Sequence, residues 1–202
     1  MGMTAIKQLG VAVIGAALMA PLLAQAEGAY VGFNAGRANQ KLNVSSDDGR
    51  DVLKENSTGY KLYGGYEFNR YFGVQGGYID LGKGNVTYVD DDVQGNLRSK
   101  VRSFYIAATA SLPINDQFAV FAKLGVSRNR VKVVDTYTDA GVAGHISESE
   151  TRTTPLIGIG AAYNFSRDLA AVVEYEDFGK VAKDDGINLK ANLFSVGLRY
   201  KF

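Results

Sequence analysis

The one histidine of the chain is the first residue that could do chemistry. His145 lies in the segment 144–150, which reads GHISESE, so serine, histidine and glutamate stand close together. These are the residue types of a nucleophile, a general base and an orienting carboxylate. Triads are assembled by three-dimensional geometry rather than by sequence adjacency, and nothing here indicates a strained nucleophile or an oxyanion hole. We therefore expect His145 to lie in a solvated loop, and we assign no catalytic residue.

Clustered carboxylates are the second candidate for chemistry, because calcium prefers oxygen ligands. Acidic runs occur at Asp47-Asp48, Asp90-Asp91-Asp92 and Asp184-Asp185. None has the spacing of an EF-hand, so we expect solvated loop tips and no metal site. The sequence has no cysteine, which excludes disulfides, cysteine-bound zinc, iron–sulfur clusters and cysteine nucleophiles.

Charge and glycine content exclude two further classes of function. The 22 basic and 21 acidic residues give a formal net charge of +1, which predicts no nucleic-acid partner because such proteins need a basic face. The pairs Gly64-Gly65 and Gly76-Gly77 lack the strand-to-helix context of a dinucleotide-binding loop. We read them as packing positions of tightly curved strands and predict no cofactor.

Residues 1–26 have the pattern of a secretory signal peptide. Lys7 supplies the positive start, 11–24 is mostly apolar, and Ala24-Gln25-Ala26 is a small-x-small cleavage sequence. The apolar run is shorter than the roughly 20 residues of a spanning helix. We expect cleavage after Ala26 and a mature domain over 27–202.

The mature sequence alternates apolar and polar residues in segments of roughly ten residues, a pattern typical of strands. In the last segment Phe194, Val196, Leu198, Tyr200 and Phe202 fall on one face. The predicted strands are Ala29–Gln40, Ser57–Phe68, Phe72–Leu81, Val101–Leu112, Phe118–Arg130, Thr154–Phe165, Leu169–Phe178 and Asn192–Phe202.

Short and long connections alternate between these strands. The short connections are Asn69–Tyr71, Pro113–Asp116 and Ser166–Asp168, all of turn-forming residues. The others are long and polar, over 41–56, 82–100, 131–153 and 179–191. Short turns at one rim and long loops at the other are typical of outer-membrane barrels. We predict an all-β fold: an eight-stranded antiparallel transmembrane β-barrel with short periplasmic turns and long extracellular loops.

If the apolar face of each strand meets lipid, the opposite face places charges inside the barrel. Gln75 joins this inward set, between Gly73 and Gly77. A sandwich core could not hold so many charges, whereas an eight-stranded barrel has an interior that such side chains fill when they are paired. The predicted interior charge network is Lys61, Glu67, Lys123, Glu174, Glu176, Arg199 and Lys201.

Aromatic residues near the strand ends predict the belts that flank the lipid-facing band of such barrels. The predicted outward aromatics are Tyr66, Phe68, Phe72, Tyr78, Phe104, Tyr163, Phe165, Phe178 and Tyr200.

Several segments resemble the transmembrane domain of outer membrane protein A and its small-barrel relatives, including opacity-type proteins. The matching segments are 64–69 (GGYEFN), 71–78 (YFGVQGGY), 112–116 (LPIND), 123–125 (KLG), 174–175 (EY) and 193–202 (LFSVGLRYKF). The resemblance implies that the final strand, with Phe194, Val196, Leu198, Tyr200 and Phe202, is the signal read by the barrel assembly machinery.

The sequence departs from that family in two respects. The family places opposed charges in mid-barrel as a gate, and two positions that look equivalent are uncharged here, Gln75 and Val172. Many relatives continue into a peptidoglycan-binding domain, whereas the sequence ends at Phe202, so we carry over no cell-wall tether.

Three functions fit this barrel. The first is a structural and surface-display protein of the envelope, a monomer in contact with outer-membrane lipid and lipopolysaccharide. The alternatives are an adhesin that binds a ligand through its loops, or a narrow pore. A barrel enzyme is the least supported class, because His145 lacks a catalytic arrangement.

Overall fold

The computed structural model describes residues 28–46, 49–90, 93–139, 142–184 and 187–202, and their side chains over 28–41, 55–84, 98–134, 147–182 and 188–202. The predicted signal peptide lies outside these ranges. In the described part of the chain, no helix has the length and apolar character needed to cross a membrane. The described residues form eight strands: β1 (Ala29–Ser46), β2 (Gly49–Glu67), β3 (Phe72–Asp90), β4 (Val93–Pro113), β5 (Phe118–Asp139), β6 (Val142–Asn164), β7 (Leu169–Asp184) and β8 (Ile187–Lys201).

The eight strands close into a ring, as the alternation predicts. Each strand pairs antiparallel with its neighbour in sequence, and β1 pairs with β8, for example Gly32 opposite Arg199. A closed ring leaves no unpaired sheet edge in the spanning part, which is what a lipid environment demands of a β-structure. The predicted fold class is confirmed.

The three predicted short turns are confirmed to within one residue, and one device stabilises each of them. The side-chain oxygen near the start of the turn accepts hydrogen bonds from two backbone N–H groups that follow. Asn69 Oδ1 accepts from Tyr71 and Phe72, at 2.8 and 2.9 Å. Asn115 and Ser166 do the same in the other two turns, as expected of Asx and Ser turns.

The four long loops are corrected by the structure. The strands continue through most of these segments and pair close to each tip, with Ser46 opposite Gly49 and Asp139 opposite Val142. Polar composition does not exclude pairing, because antiparallel strands tolerate water on a face. His145 is likewise not in a loop: its backbone is part of β6, opposite Thr136, and its side chain is outside the described residues.

The ring divides at its long-hairpin end. Among the described residues, β2–β3 pairing stops at Tyr60 opposite Asp80, and β6–β7 pairing stops at Ile157 opposite Asp177. The other strand pairs continue toward the tips. Beyond the division, β7, β8, β1 and β2 form one four-stranded sheet, and β3, β4, β5 and β6 form another.

A repeated sequence marks both points of division. Residues 78–83 read YIDLGK and residues 175–180 read YEDFGK. In each, the aspartate Oδ1 accepts a hydrogen bond from the N–H of the glycine two residues later, at 3.0 Å for Gly82 and 2.6 Å for Gly179. Both glycines have positive φ, +81° and +62°, which favours glycine. The strand pairing shifts register at each repeat, as at a β-bulge.

The outer surface carries an apolar band above the short turns. On β4 the exposed outward residues from Phe104 to Leu112 are apolar, and that run matches the roughly 9–11 residues of a transmembrane strand. Ring pairs lie beside two of the short turns, Tyr66 with Phe68 at 5.6 Å and Tyr163 with Phe165 at 5.3 Å.

One predicted outward aromatic is wrong. Phe178 is fully buried inside the barrel, because it shares the inward alternation of Glu174 and Glu176 along β7. Glu174 and Glu176 face the lumen, and Phe178 lies two residues further along the same strand. Its aromatic character was therefore a misleading signal for an outward position. Tyr175, on the opposite face of the same strand, is exposed.

Candidate functional site

Four charged side chains meet near the middle of the lumen, and we call them the quartet: Lys61, Lys123, Glu174 and Glu176. All four are buried, with side chains that have no exposed area. Lys61 is paired with Glu174, and its Nζ lies 2.9 Å from Glu176 Oε2. Lys123 Nζ lies 2.8 Å from Glu174 Oε1 and 2.9 Å from Glu176 Oε1. Each lysine therefore contacts both carboxylates, and the formal charges cancel.

Neutral groups complete the surroundings of the quartet. Gln75 Oε1 accepts hydrogen bonds from Lys123 Nζ at 2.8 Å and from Tyr105 Oη at 2.7 Å. Lys61 Nζ also lies 4.8 Å from the centre of the Tyr63 ring, within the range of a cation–π contact. Gln75 thus occupies a position where the family resemblance suggested a charged gate residue. Here its neutral amide accepts a hydrogen bond from Lys123, so this position forms no ion pair.

The remaining three predicted interior charges form a second group nearer the short-turn rim. Lys201 Nζ lies 2.7 Å from Glu67 Oε2, and Arg199 Nη1 lies 3.7 Å from Glu67 Oε1. Arg199 is buried, and its guanidinium carbon Cζ lies 4.6 Å from the centre of the Tyr30 ring. Glu67 and Lys201 are partly exposed, at 26% and 31% of their side-chain area, so water reaches this pair.

The lumen toward the long hairpins is filled by apolar side chains, which we call the apolar plug. It lies beyond the quartet, in the part of the ring where the two divisions begin. Its members are all buried: Ala38, Ile79, Leu81, Val101, Val131, Leu156, Phe178, Val181, Ala191 and Leu193. The plug was missed in the sequence, although Gln75 on β3 fixes the same inward parity for Ile79 and Leu81.

A polar network joins the plug to the wall of the barrel. Asn129 donates from Nδ2 to Thr154 Oγ1 at 2.7 Å, and its Oδ1 accepts from the hydroxyls of Ser103 and Ser127. Thr154 then donates to the Phe178 carbonyl at 2.6 Å. That last bond bridges β6 and β7 where their backbone pairing ends. On the other side, Ser57 Oγ donates to the Leu81 carbonyl at 2.5 Å and bridges β2 and β3.

The described residues contain no group of three or more His, Asp or Glu side chains arranged to hold a metal ion.

The predicted assembly strand presents its apolar face outward: Phe194, Val196, Leu198 and Tyr200 are all exposed, and Phe202 is partly exposed. The lumen thus holds two filled layers: the quartet of buried, paired charges, and the apolar plug on the long-hairpin side of the quartet.

A closed antiparallel ring with an apolar outer band and a charged, filled interior defines a small outer-membrane β-barrel. The model of the OmpA-like transmembrane domain matches residues 24–202. The chain belongs to that family, and the outer membrane is its location.

Relatives by sequence include outer membrane protein A of several bacteria. The protein of Yersinia pseudotuberculosis serotype I (strain IP32953) is 26% identical over 196 residues, which is 96% of this chain and 54% of that protein. The protein of Shigella flexneri is 26% identical over 150 residues, 73% of this chain and 41% of that protein. The chain thus spans about half or less of the length of these curated relatives.

Among the solved structures that share the fold are two bacterial proteins. One is Ail, the attachment invasion locus protein of Yersinia pestis, solved with the heparin analogue sucrose octasulfate (TM-score 0.52, 19% identity, 85% of this chain and 99% of that chain). The other is Neisserial surface protein A (TM-score 0.50, 20% identity, 87% of this chain and 98% of that chain).

Proposed function

We propose that this barrel is a structural protein of the outer membrane that displays four long hairpins at the cell surface. The observation that carries the proposal is the filled lumen, with the quartet at mid-height and the apolar plug beyond it. A continuous aqueous path would have to separate four mutually paired charges and also hydrate an aliphatic core, and both steps cost free energy. No catalytic step is part of the proposal.

The proposal extends to export and assembly. Residues 1–26 act as the cleaved signal peptide, which delivers the chain across the inner membrane. The outward row of Phe194, Val196, Leu198, Tyr200 and Phe202 on the final strand is then read by the barrel assembly machinery. The folded barrel stays a monomer in contact with outer-membrane lipid and lipopolysaccharide, and it has no nucleic-acid partner.

Planar-bilayer recording separates display from the pore alternative. We expect the reconstituted chain to give no discrete current steps, because the quartet and the plug block the lumen at two levels. A heat-dependent shift in gel mobility confirms that the protein is folded. Reproducible steps that change in the Lys123→Ala and Glu174→Ala variants would instead place the ion path through the quartet and make this chain a pore.

An adhesin is the second candidate, favoured by backbone pairing that extends well beyond the apolar band. The β5 and β6 strands have 22 and 23 residues, about twice what a membrane crossing needs. Rigid hairpins of this length would hold a binding surface away from the lipid, and the relative Ail is an attachment protein by name.

Trimming one hairpin tests the adhesin. Replacing residues 134–147 with a two-residue Asn-Gly turn shortens the β5–β6 hairpin to the pair Val133 opposite Glu148. As an adhesin, the chain should lose at least tenfold of its cell attachment to immobilised heparin on this replacement, and little when residues 42–53 of the β1–β2 hairpin are replaced with the same two-residue turn. Cells that attach equally with and without the intact chain contradict the adhesin and leave display as the function.

A further inference from the structure

Basic side chains crowd the outer surface of β4 and β5 directly beyond the apolar band. Outward residues change from apolar to basic between Phe104 and Arg102 on β4, and between Val126 and Arg128 on β5. The basic surface consists of Lys100, Arg102, Arg128, Arg130 and Lys132, and we call it the β4–β5 basic face.

The height of this face places it at the lipid headgroups of the outer leaflet. The apolar run from Leu112 to Phe104 starts at a short turn and has the length of a membrane crossing. Short turns lie on the periplasmic side of outer-membrane barrels, so the opposite end of the run reaches the outer leaflet. Arg128 stands beside Phe104 in the strand register, and the face therefore begins where the hydrocarbon ends.

The register sets like charges against each other on this face. Arg102 is opposite Arg130, and Lys100 is opposite Lys132. Antiparallel partners have Cα atoms about 5 Å apart, and like charges in such positions destabilise a sheet. Two such pairs in succession are unfavourable in the protein alone, and an anion between them would remove the repulsion.

The protein itself neutralises only part of the face. Asp80 Oδ2 lies 3.2 Å from Lys100 Nζ and 3.6 Å from Arg102 Nε. Within the described side chains, no carboxylate lies within 4 Å of the charged groups of Arg128, Arg130 or Lys132, and all three are exposed. Among the described side chains, these three cations have no carboxylate partner, and they face the headgroup layer.

We propose that the β4–β5 basic face binds the phosphate groups of lipid A, the anchor of lipopolysaccharide, while its acyl chains lie along the apolar band below. Guanidinium groups bind phosphate through paired, charge-assisted hydrogen bonds. A ligand with anionic phosphates attached to hydrocarbon matches a basic surface continuous with an apolar one. The proposal rests on the outer-membrane location and deepens the lipopolysaccharide contact of the proposed function, but it is independent of surface display.

A charge-matched pair of triple variants tests the site. Binding of bis-phosphorylated lipid A to the full chain in detergent micelles is measured by calorimetry. The face variant is Arg128→Gln, Arg130→Gln, Lys132→Gln, and the control is Arg37→Gln, Lys41→Gln, Lys190→Gln on β1 and β8, which are also exposed. Each basic residue near an anionic membrane contributes about a factor of five, so we expect about 100-fold weaker binding for the face variant and at most threefold for the control.

Three results would overturn the proposal. Equal losses in both triple variants would mean general attraction by a basic rim. Undiminished binding of lipid A stripped of its phosphates would mean that the acyl chains alone are recognised. Sucrose octasulfate that binds as tightly as lipid A would identify a soluble polyanion as the ligand. The planar-bilayer result for the proposed function does not affect any of these readouts.

The single variant Arg130→Gln keeps the test valid if a triple variant folds poorly. In a neutral detergent, loss of the charge opposite Arg102 should leave the midpoint of urea unfolding unchanged or raise it. With lipid A present, the same variant should unfold at lower urea than the parent chain, because the parent gains more from the ligand. A shift of the same sign in both conditions would indicate a purely structural residue and contradict the proposal.

Discussion

Replacing Lys61 with methionine will lower the free energy of unfolding by about 3–5 kcal/mol, because removal of one member of a buried ion-paired group leaves a charge without compensation. Lys61 contacts both Glu174 and Glu176, and only Lys123 would remain to balance two carboxylates. Urea unfolding of the reconstituted protein, followed by far-ultraviolet circular dichroism, measures the loss. The sequence contains no tryptophan, so indole fluorescence is not an option.

The matched control is Lys201→Met, which also removes a lysine that is ion-paired with a glutamate inside the barrel. Glu67 keeps Arg199 nearby, and the Glu67–Lys201 pair is partly exposed, so we expect a loss of about 1 kcal/mol or less. The double variant Lys61→Met, Glu174→Gln restores the charge balance and should recover part of the stability. Equal losses for Lys61→Met and Lys201→Met would show that burial of the quartet does not govern stability.

Truncating Phe178 to alanine will cost about 3–5 kcal/mol, the range for removal of a large aromatic side chain from a packed interior. Phe178 is fully buried in the apolar plug, and the closed wall cannot collapse into the cavity. The same urea titration measures the effect.

Phe104→Ala is the appropriate control, because Phe104 is 65% exposed on the lipid-facing surface. Lipid chains close around a shortened side chain, so no cavity remains and we expect about 1–2 kcal/mol. A loss for Phe104→Ala as large as that for Phe178→Ala would contradict the assignment of Phe178 to the interior.

Much of the barrel could be predicted because strand alternation has a strict period of two. Once the apolar face of a strand is assigned to lipid, the residues between must face inward, and this is how Lys61 and Glu174 were placed inside. Which lysine meets which glutamate was not predictable, since Lys61 on β2 reaches Glu174 on β7 across the lumen. That match depends on the tilt and stagger of the closed ring, which no local pattern encodes.

The strand ends were wrong for a physical reason of a different kind. The segment 131–153 is polar, and polarity indicated a loop, but antiparallel strands in water need no apolar face once their backbone groups are paired. Phe178 was placed outside because aromatic type outweighed its position two residues after Glu176. Parity was the more reliable signal at both the plug and the quartet.

The two related segments, YIDLGK at 78–83 and YEDFGK at 175–180, give the ring a twofold pseudosymmetry. A rotation by four strands takes β3 onto β7 in the strand order, and each repeat stands where one half of the ring separates from the other. Hairpin tips within a half are joined through backbone pairing, for example at Val44 opposite Ile187. During evolution, an insertion in one hairpin would therefore disturb the neighbour in its own half. The two halves could change in sequence and length independently of each other. Natural selection would therefore act on two surfaces, one for each half, rather than on four separate hairpins.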